Sequence, residues 1–174
     1  MQPDEFDKYY TKALRFLTIR PRSEKEVRDN LIKKNRGGRS SSEKTGEVEK
    51  IIDQVIEKLK AQKFLKDEEF AKWWVEQRVR FRPRSMRLIK IELRQKEISN
   101  EILESGIVNN ESSEETNDKE SARKIVQAKI HRYKGLSKFE LTQKLGPLLA
   151  RKGFDYDTIK EAIDEVWKEE YNTG

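Results

Sequence analysis

Apolar residues recur along this chain at spacings of three and four, the period of one helix face, and no segment sustains the alternation of a strand. Residues 4–20 place Phe6, Tyr9, Tyr10, Ala13, Leu14 and Leu17 on such a face. Pro21 ends that helix, because proline disfavours helical geometry in the residue before it. Ser23 predicts an N-cap, and Glu26 three residues on completes a capping-box pattern. The second helix, about 23–34, buries Val27, Leu31 and Ile32. A third, over 47–62, carries Val48, Ile51, Ile52, Val55, Ile56 and Leu59, and Phe64 and Leu65 close the unit. Between the second and third lies NRGGRSSSEKTG, residues 35–46, with no periodicity, which reads as a connector.

The next helix starts near Asp67, whose side chain can cap it, and buries Phe70, Ala71, Trp74, Val75 and Val79. Neighbours on a helix differ by about 100°. Trp73 and Trp74 therefore cannot both face one core, and one of them is expected against another unit or a partner. Met86, Ile89 and Leu93 mark a fifth helix, and Ser99 opens a short sixth with Ile102 and Leu103 inward and Gly106 at its end. Residues 109–118, NNESSEETND, contain no apolar residue and read as an acidic linker. Helix seven is expected over 122–133 with Ile125, Val126 and Ile130. Helix eight carries Phe139, Leu141, Leu145, Leu148 and Leu149 around an irregularity at Pro147. Gly153 breaks the chain, and Asp155 or Asp157 opens a last helix with Ile159, Ala162, Ile163, Val166 and Trp167.

These helices repeat. Arg82-Pro83-Arg84-Ser85 also occurs 62 residues earlier as Arg20-Pro21-Arg22-Ser23, and the flanks keep register: Ala13 with Val75, Leu17 with Val79, Val27 with Ile89, Leu31 with Leu93. A looser copy follows around Ser137, with Leu141 and Leu145 in the places of Ile89 and Leu93. The expected fold is all-α, three tandem three-helix repeats. Boundaries are expected at 1–64, 65–108, an acidic linker 109–118, and 119–174.

Composition sharpens that picture. Hydrophobic residues are 34% of the 174 and charged residues 40%, against a usual apolar share of roughly 45–50% and a charged share of about a quarter. Several shallow cores fit this better than one deep core, and an elongated shape follows. The net charge of +6 points to polyanionic or acidic partners, although a mixed-charge solvated surface produces the same number. With no cysteine, disulfides, zinc ribbons and thiol catalysis are excluded. The start, MQPDEFDKYY, lacks the pattern of a signal peptide, and no apolar run approaches the roughly 20 residues that span a bilayer. A cytoplasmic protein with no membrane partner is expected, so the triplet Asn110-Glu111-Ser112 carries no glycosylation.

Candidate chemistry is sparse. Gly38, then four residues, then Glu43-Lys44-Thr45 resembles a phosphate-binding loop, but glutamate stands where the second glycine belongs and no strand precedes it. His131 is the single histidine, so no His-rich metal site or histidine relay can form. Acidic residues are interleaved with Lys and Arg at ion-pairing spacing. No catalytic residue, metal or cofactor is expected, and the chain is read as a non-enzyme. The basic residues are better ordered. Arg87, Lys90 and Arg94 fall at i, i+3 and i+7 opposite Met86, Ile89 and Leu93, with Arg80, Arg82 and Arg84 leading in and Lys96 following; Arg20, Arg22, Lys25 and Arg28 repeat the theme. Arginine rows suit phosphates or carboxylate-rich surfaces, since the guanidinium makes planar two-point contacts. Arg20, Arg22, Arg82, Arg84, Arg87, Lys90 and Arg94 are the candidate partner-binding residues; a solvated helix face is the competing reading.

ALRFLTIRPRSEKEVRDNLIKK from Ala13, LKDEEFAKWWVEQRV from Leu65, IELRQKEI from Ile91 and LARKGFDYDTIKEAI from Leu149 together resemble the RecX family of recombination regulators, over nearly the whole chain and in order. The most specific piece is Leu65, Asp67, Phe70 and Ala71, followed by Arg78 and the basic helix. Two departures stand out: Lys96-Glu97-Ile98 where the family usually has Lys-Gly-Ile, and Val79-Arg80-Phe81 where a glycine commonly follows. The resemblance implies a curved molecule of three helical repeats. It also implies a regulator that binds RecA recombinase filaments on single-stranded DNA and suppresses their ATP hydrolysis and strand exchange. A monomer is expected. The alternatives are a direct binder of single- or double-stranded DNA that competes for DNA, and a helical scaffold for another acidic partner. Clustered aromatics suited to base stacking are not evident in the sequence.

Overall fold

A computed structural model describes residues 4–33, 42–105 and 111–171, with the backbone alone for 42–45 and 111–115. Its helices are α1 (Glu5–Leu17), α2 (Glu24–Lys33), α3 (Ser42–Ala61), α4 (Asp67–Phe81), α5 (Met86–Gln95), α6 (Asn100–Glu104), α7 (Glu111–Ile130), α8 (Lys138–Arg151) and α9 (Tyr156–Tyr171), with a 3-10 turn at His131–Tyr133 between α7 and α8. No strand occurs among the described residues. The all-α expectation holds, and among the described residues nine helices in threes match the repeat register.

Two expected non-helical stretches are partly helix. Ser42–Gly46, read as connector, forms the first turns of α3, so Glu43-Lys44-Thr45 is helical backbone; Gly38 lies outside the described residues. Residues 111–118 of the expected acidic linker are the first turns of α7, while 109 and 110 lie outside the description. The physical reason is the same in both. Once a buried stripe anchors a helix, further turns need only tolerable propensity, and acidic side chains are favoured beside a helix N-terminus by the backbone dipole. Periodicity cannot detect turns that carry no apolar residue.

The chain divides into two compact units, Met1–Trp73 with Arg94–Ile102, and Trp74–Leu93 with Leu103–Gly174. In the first unit, Ala13 from α1, Val27 and Leu31 from α2, and Ile52, Val55, Ile56 and Leu59 from α3 form one buried cluster closed by Leu65. Ser23 is fully buried, and its Oγ accepts the Glu26 N–H at 3.2 Å. The return half of the expected capping box is replaced: cations hold the Glu26 carboxylate, as described below. Asp67 caps a different helix from the one expected. It is the first residue of α4, but its Oδ1 accepts the N–H of Glu24 at the start of α2, at 2.9 Å. Trp73 lies against Phe70, ring centroids 6.2 Å apart, and beneath the guanidinium of Arg20, 4.9 Å from its ring. That is the contact between repeats which the tryptophan pair required.

In the second unit, Ala122, Ile125, Val126 and Ile130 of α7 meet Leu141, Leu145 and Leu149 of α8 and Ile159, Ala162, Ile163 and Val166 of α9, with Phe154 closing the cluster. Here Ser137 and Glu140 form a complete capping box at the start of α8, and α8 runs on through Pro147. Of the two aspartates offered for α9, Asp155 caps it: its Oδ1 accepts the Thr158 N–H at 2.7 Å, a bond that holds its carboxyl below the usual carboxylate range.

Candidate partner-binding surface

Each Arg-Pro-Arg-Ser corner joins the first helix of a repeat to the second, and the two corners place their arginines differently. In the first unit, Glu26 gathers the cations. Arg20 approaches its carboxylate at 3.0 Å, Arg22 at 3.6 Å and Lys96 at 2.6 Å. Burial pushes the Glu26 carboxyl up, but hydrogen bonds from Lys96 and Arg20 outweigh it and hold the group below the ordinary glutamate range. Arg22 is only 13% exposed and lies 3.8 Å over the ring of Phe16; burial, with Arg20 beside it, lowers its pKa. Arg20 and Arg22 are thus both paired with Glu26.

The second corner differs just after the shared motif, where Met86, Arg87 and Leu88 stand in the places of Glu24, Lys25 and Glu26. Leu88 occupies the position that Glu26 holds 62 residues earlier, so a carboxylate at that position is missing and Glu92 supplies one from further along α5. Arg84 instead reaches Glu92 at 2.6 Å and stays 45% exposed. Glu92 also takes Arg78 at 2.6 Å and the Trp74 Nε1–H at 2.9 Å, while the Arg78 guanidinium covers the Trp74 ring at 4.3 Å. Arg80, Arg82 and Arg87 are exposed, and Lys90 is half-buried. Arg94, on the last turn of α5, is exposed and its Nε donates to Asn100 Oδ1 at 3.4 Å.

The backbone of this second corner is clamped by the third repeat. Ser85 N–H donates to the carbonyl of Lys152 at 3.0 Å, and Lys152 Nζ donates to the carbonyl of Pro83 at 3.1 Å. Burial and the nearby Arg84 lower the pKa of that lysine. Asp118 Oδ1 accepts the Met86 N–H at 2.7 Å, as Asp67 does for Glu24 at the equivalent position of the first repeat. Gly153 has φ of +91°, and a Cβ there would lie 2.3 Å from Ser85 Oγ and 2.6 Å from Leu88 Cγ. Sequence reasoning missed Glu92, Asp118 and Lys152 in these roles, because their partners are distant in the chain. The recurrence of Ser23 and Ser85 was the available signal that both corners are built to be buried against a following repeat.

Among the described residues no group of three or more His, Cys, Asp or Glu side chains could hold a metal ion, and no helix is long and apolar enough to cross a membrane. His131 is exposed and lies 3.3 Å from Glu170.

Comparison with known proteins agrees with the repeat architecture. Family descriptions of RecX match in order: the first three-helix domain at residues 10–35, the second at 67–106 and the third at 117–163. The chain is 32% identical to "Regulatory protein RecX" of Clostridium perfringens strain 13, over 98% of this chain and 74% of that protein. It is also 32% identical to the protein of the same name from Bacillus subtilis, over 94% of this chain and 56% of that one, so it spans little more than half of the latter's length. The crystal structure of RecX from Lactobacillus salivarius superposes with a TM-score of 0.66 at 25% identity, covering 92% of this chain and 96% of that chain. Three helical domains in the same order, together with relatives alike over nearly the whole of this chain, place it in the RecX family.

Proposed function

We propose that this chain regulates the RecA recombinase by binding its filaments on single-stranded DNA and damping their ATP hydrolysis and strand exchange, without catalysing a reaction itself. The observation that supports this most is the second corner: Arg82, Arg84 and Arg87 exposed on a backbone clamped from the third repeat through Ser85, Pro83 and Met86. A cationic surface held in one shape can favour one arrangement of its partner over another, and a regulator acts only through such differential affinity. The binding set is narrowed to Arg82, Arg84, Arg87, Lys90 and Arg94. Arg20 and Arg22 become positioning residues, since both are engaged by Glu26. The division into repeats at 1–64, 65–108 and 119–174 belongs to this reading, as does action as a monomer in the cytoplasm.

Reversing charge at Arg87, Lys90 and Arg94 tests it. The triple variant is expected to keep its helicity and lose inhibition of recombinase ATP hydrolysis; full inhibition removes this face from the mechanism. A second reading, direct competition for DNA, is favoured by the exposed Arg80 and Arg82 on either side of the exposed Phe81 in the chain. For about six phosphate contacts to a single strand, log affinity would fall with log salt at a slope of about −4 to −5, and inhibition would fail on filaments already assembled.

A further inference from the structure

Singly exposed apolar side chains are ordinary on protein surfaces, but two of them here recur at one position of the repeat. Ile19 is 74% exposed and Phe81 is 63% exposed, and the two are related by the same 62-residue offset as the corners. Each stands immediately before an Arg-Pro-Arg turn, Ile19 in the turn after α1 and Phe81 as the last residue of α4. The cations beside them do not share one environment. Arg22 is 13% exposed and held by Glu26, whereas Arg84 is 45% exposed. What the two corners share most closely is therefore the apolar tip, while the basic residues beside it differ in exposure.

We infer that Ile19 and Phe81 are equivalent anchor side chains, each inserting into an apolar recess with an acidic rim on a protein partner built of repeated identical subunits. This rests on the reading of a polymeric partner given above and names the contact made with it. Three observations select the occupant. An aliphatic side chain stands at one tip and an aromatic at the other, so their common property is apolar bulk. Base stacking requires a π-face and would leave Ile19 without a role. The charged residues adjoining each tip in the chain are basic: Arg20, partly exposed, follows Ile19, and Arg80 and Arg82 are exposed on either side of Phe81. A rim of carboxylates complements both. Finally, tips repeated in tandem modules match a partner that offers the same recess more than once. An apolar anchor ringed by polar contacts that exclude water is the usual arrangement of an interface hot spot.

The test uses the full chain and recombinase filaments preassembled on a single-stranded oligonucleotide, with the bare oligonucleotide measured in parallel. Ile19→Ser and Phe81→Ser are each expected to weaken filament binding about tenfold, with helicity and Tm unchanged because both side chains are exposed. Phe81→Leu is expected to stay within about twofold of the wild type, since it keeps apolar bulk. Unaltered filament affinity in both serine variants overturns the proposal. If Phe81→Leu loses as much as Phe81→Ser, and by the same factor on the bare oligonucleotide, Phe81 stacks on a base and the anchor role is overturned. A wild-type chain that does not bind filaments overturns the regulatory reading and this inference with it, whereas wild-type binding matched by both serine variants overturns the anchors alone.

Discussion

Glu97 has φ of +59°, in the left-handed region where a Cβ crowds the next carbonyl at a cost of roughly 1–2 kcal/mol. The turn leaving the middle helix of the third repeat places Gly153 in positive φ instead, at +91°. The RecX resemblance puts glycine where Glu97 stands, and the backbone explains why. Glu97→Gly is expected to raise stability by about 0.5–1 kcal/mol, read from a denaturant titration, because the pair it forfeits with Lys25 is exposed. Gly153→Ala goes the other way. Its Cβ would meet Ser85 and Leu88, and with the backbone cost the expected loss is about 2–4 kcal/mol. Glu26 sets an acid limit on the first corner. Its folded-state pKa is depressed, so its contribution is complete above the unfolded value of about 4.3 and is lost as pH falls through the lower folded value. The stability difference between wild type and Glu26→Gln should therefore be largest at neutral pH and shrink below about pH 4.

At the scale of the elements, two helices are capped by side chains from the following repeat: α2 by Asp67 and α5 by Asp118. Asp67→Ala should cost about 1 kcal/mol. Burial raises the Asp67 carboxyl despite the bond from Glu24. A raised folded value makes its contribution greatest below the unfolded value of about 3.9 and smaller as pH rises through the folded value. Asp67→Asn keeps an acceptor that never ionises, so at pH 7 it should equal or exceed the wild type in Tm. These caps also mark the limit of what the sequence disclosed. The helices were legible because their buried stripes, such as Val27 with Leu31 or Ile89 with Leu93, have the helical period. The first turns of α3 and α7 were not, because they carry no such stripe. Local spacing assigns Asp67 to its own helix because it cannot show a partner 43 residues away. The two corners read as equals because they share four residues; their difference lies in Glu26 against Leu88, outside the motif.

Over the whole molecule, a net charge of +6 is an average that conceals an asymmetry: the first corner consumes its arginines internally, while the second leaves Arg82, Arg84 and Arg87 exposed. Neutralising Glu26 should therefore change stability more than partner affinity, and reversing Arg87 should do the opposite. Binding that depends on the exposed set should weaken as salt is raised through about 0.15 M, where the screening length is about 8 Å. The most direct test of the regulatory account is recombinase ATP hydrolysis on single-stranded DNA, measured with and without this chain. Hydrolysis suppressed by the wild-type chain and restored with the Arg87, Lys90 and Arg94 charge-reversal variant is the predicted result; hydrolysis unchanged by the wild-type chain at saturating concentration would contradict it.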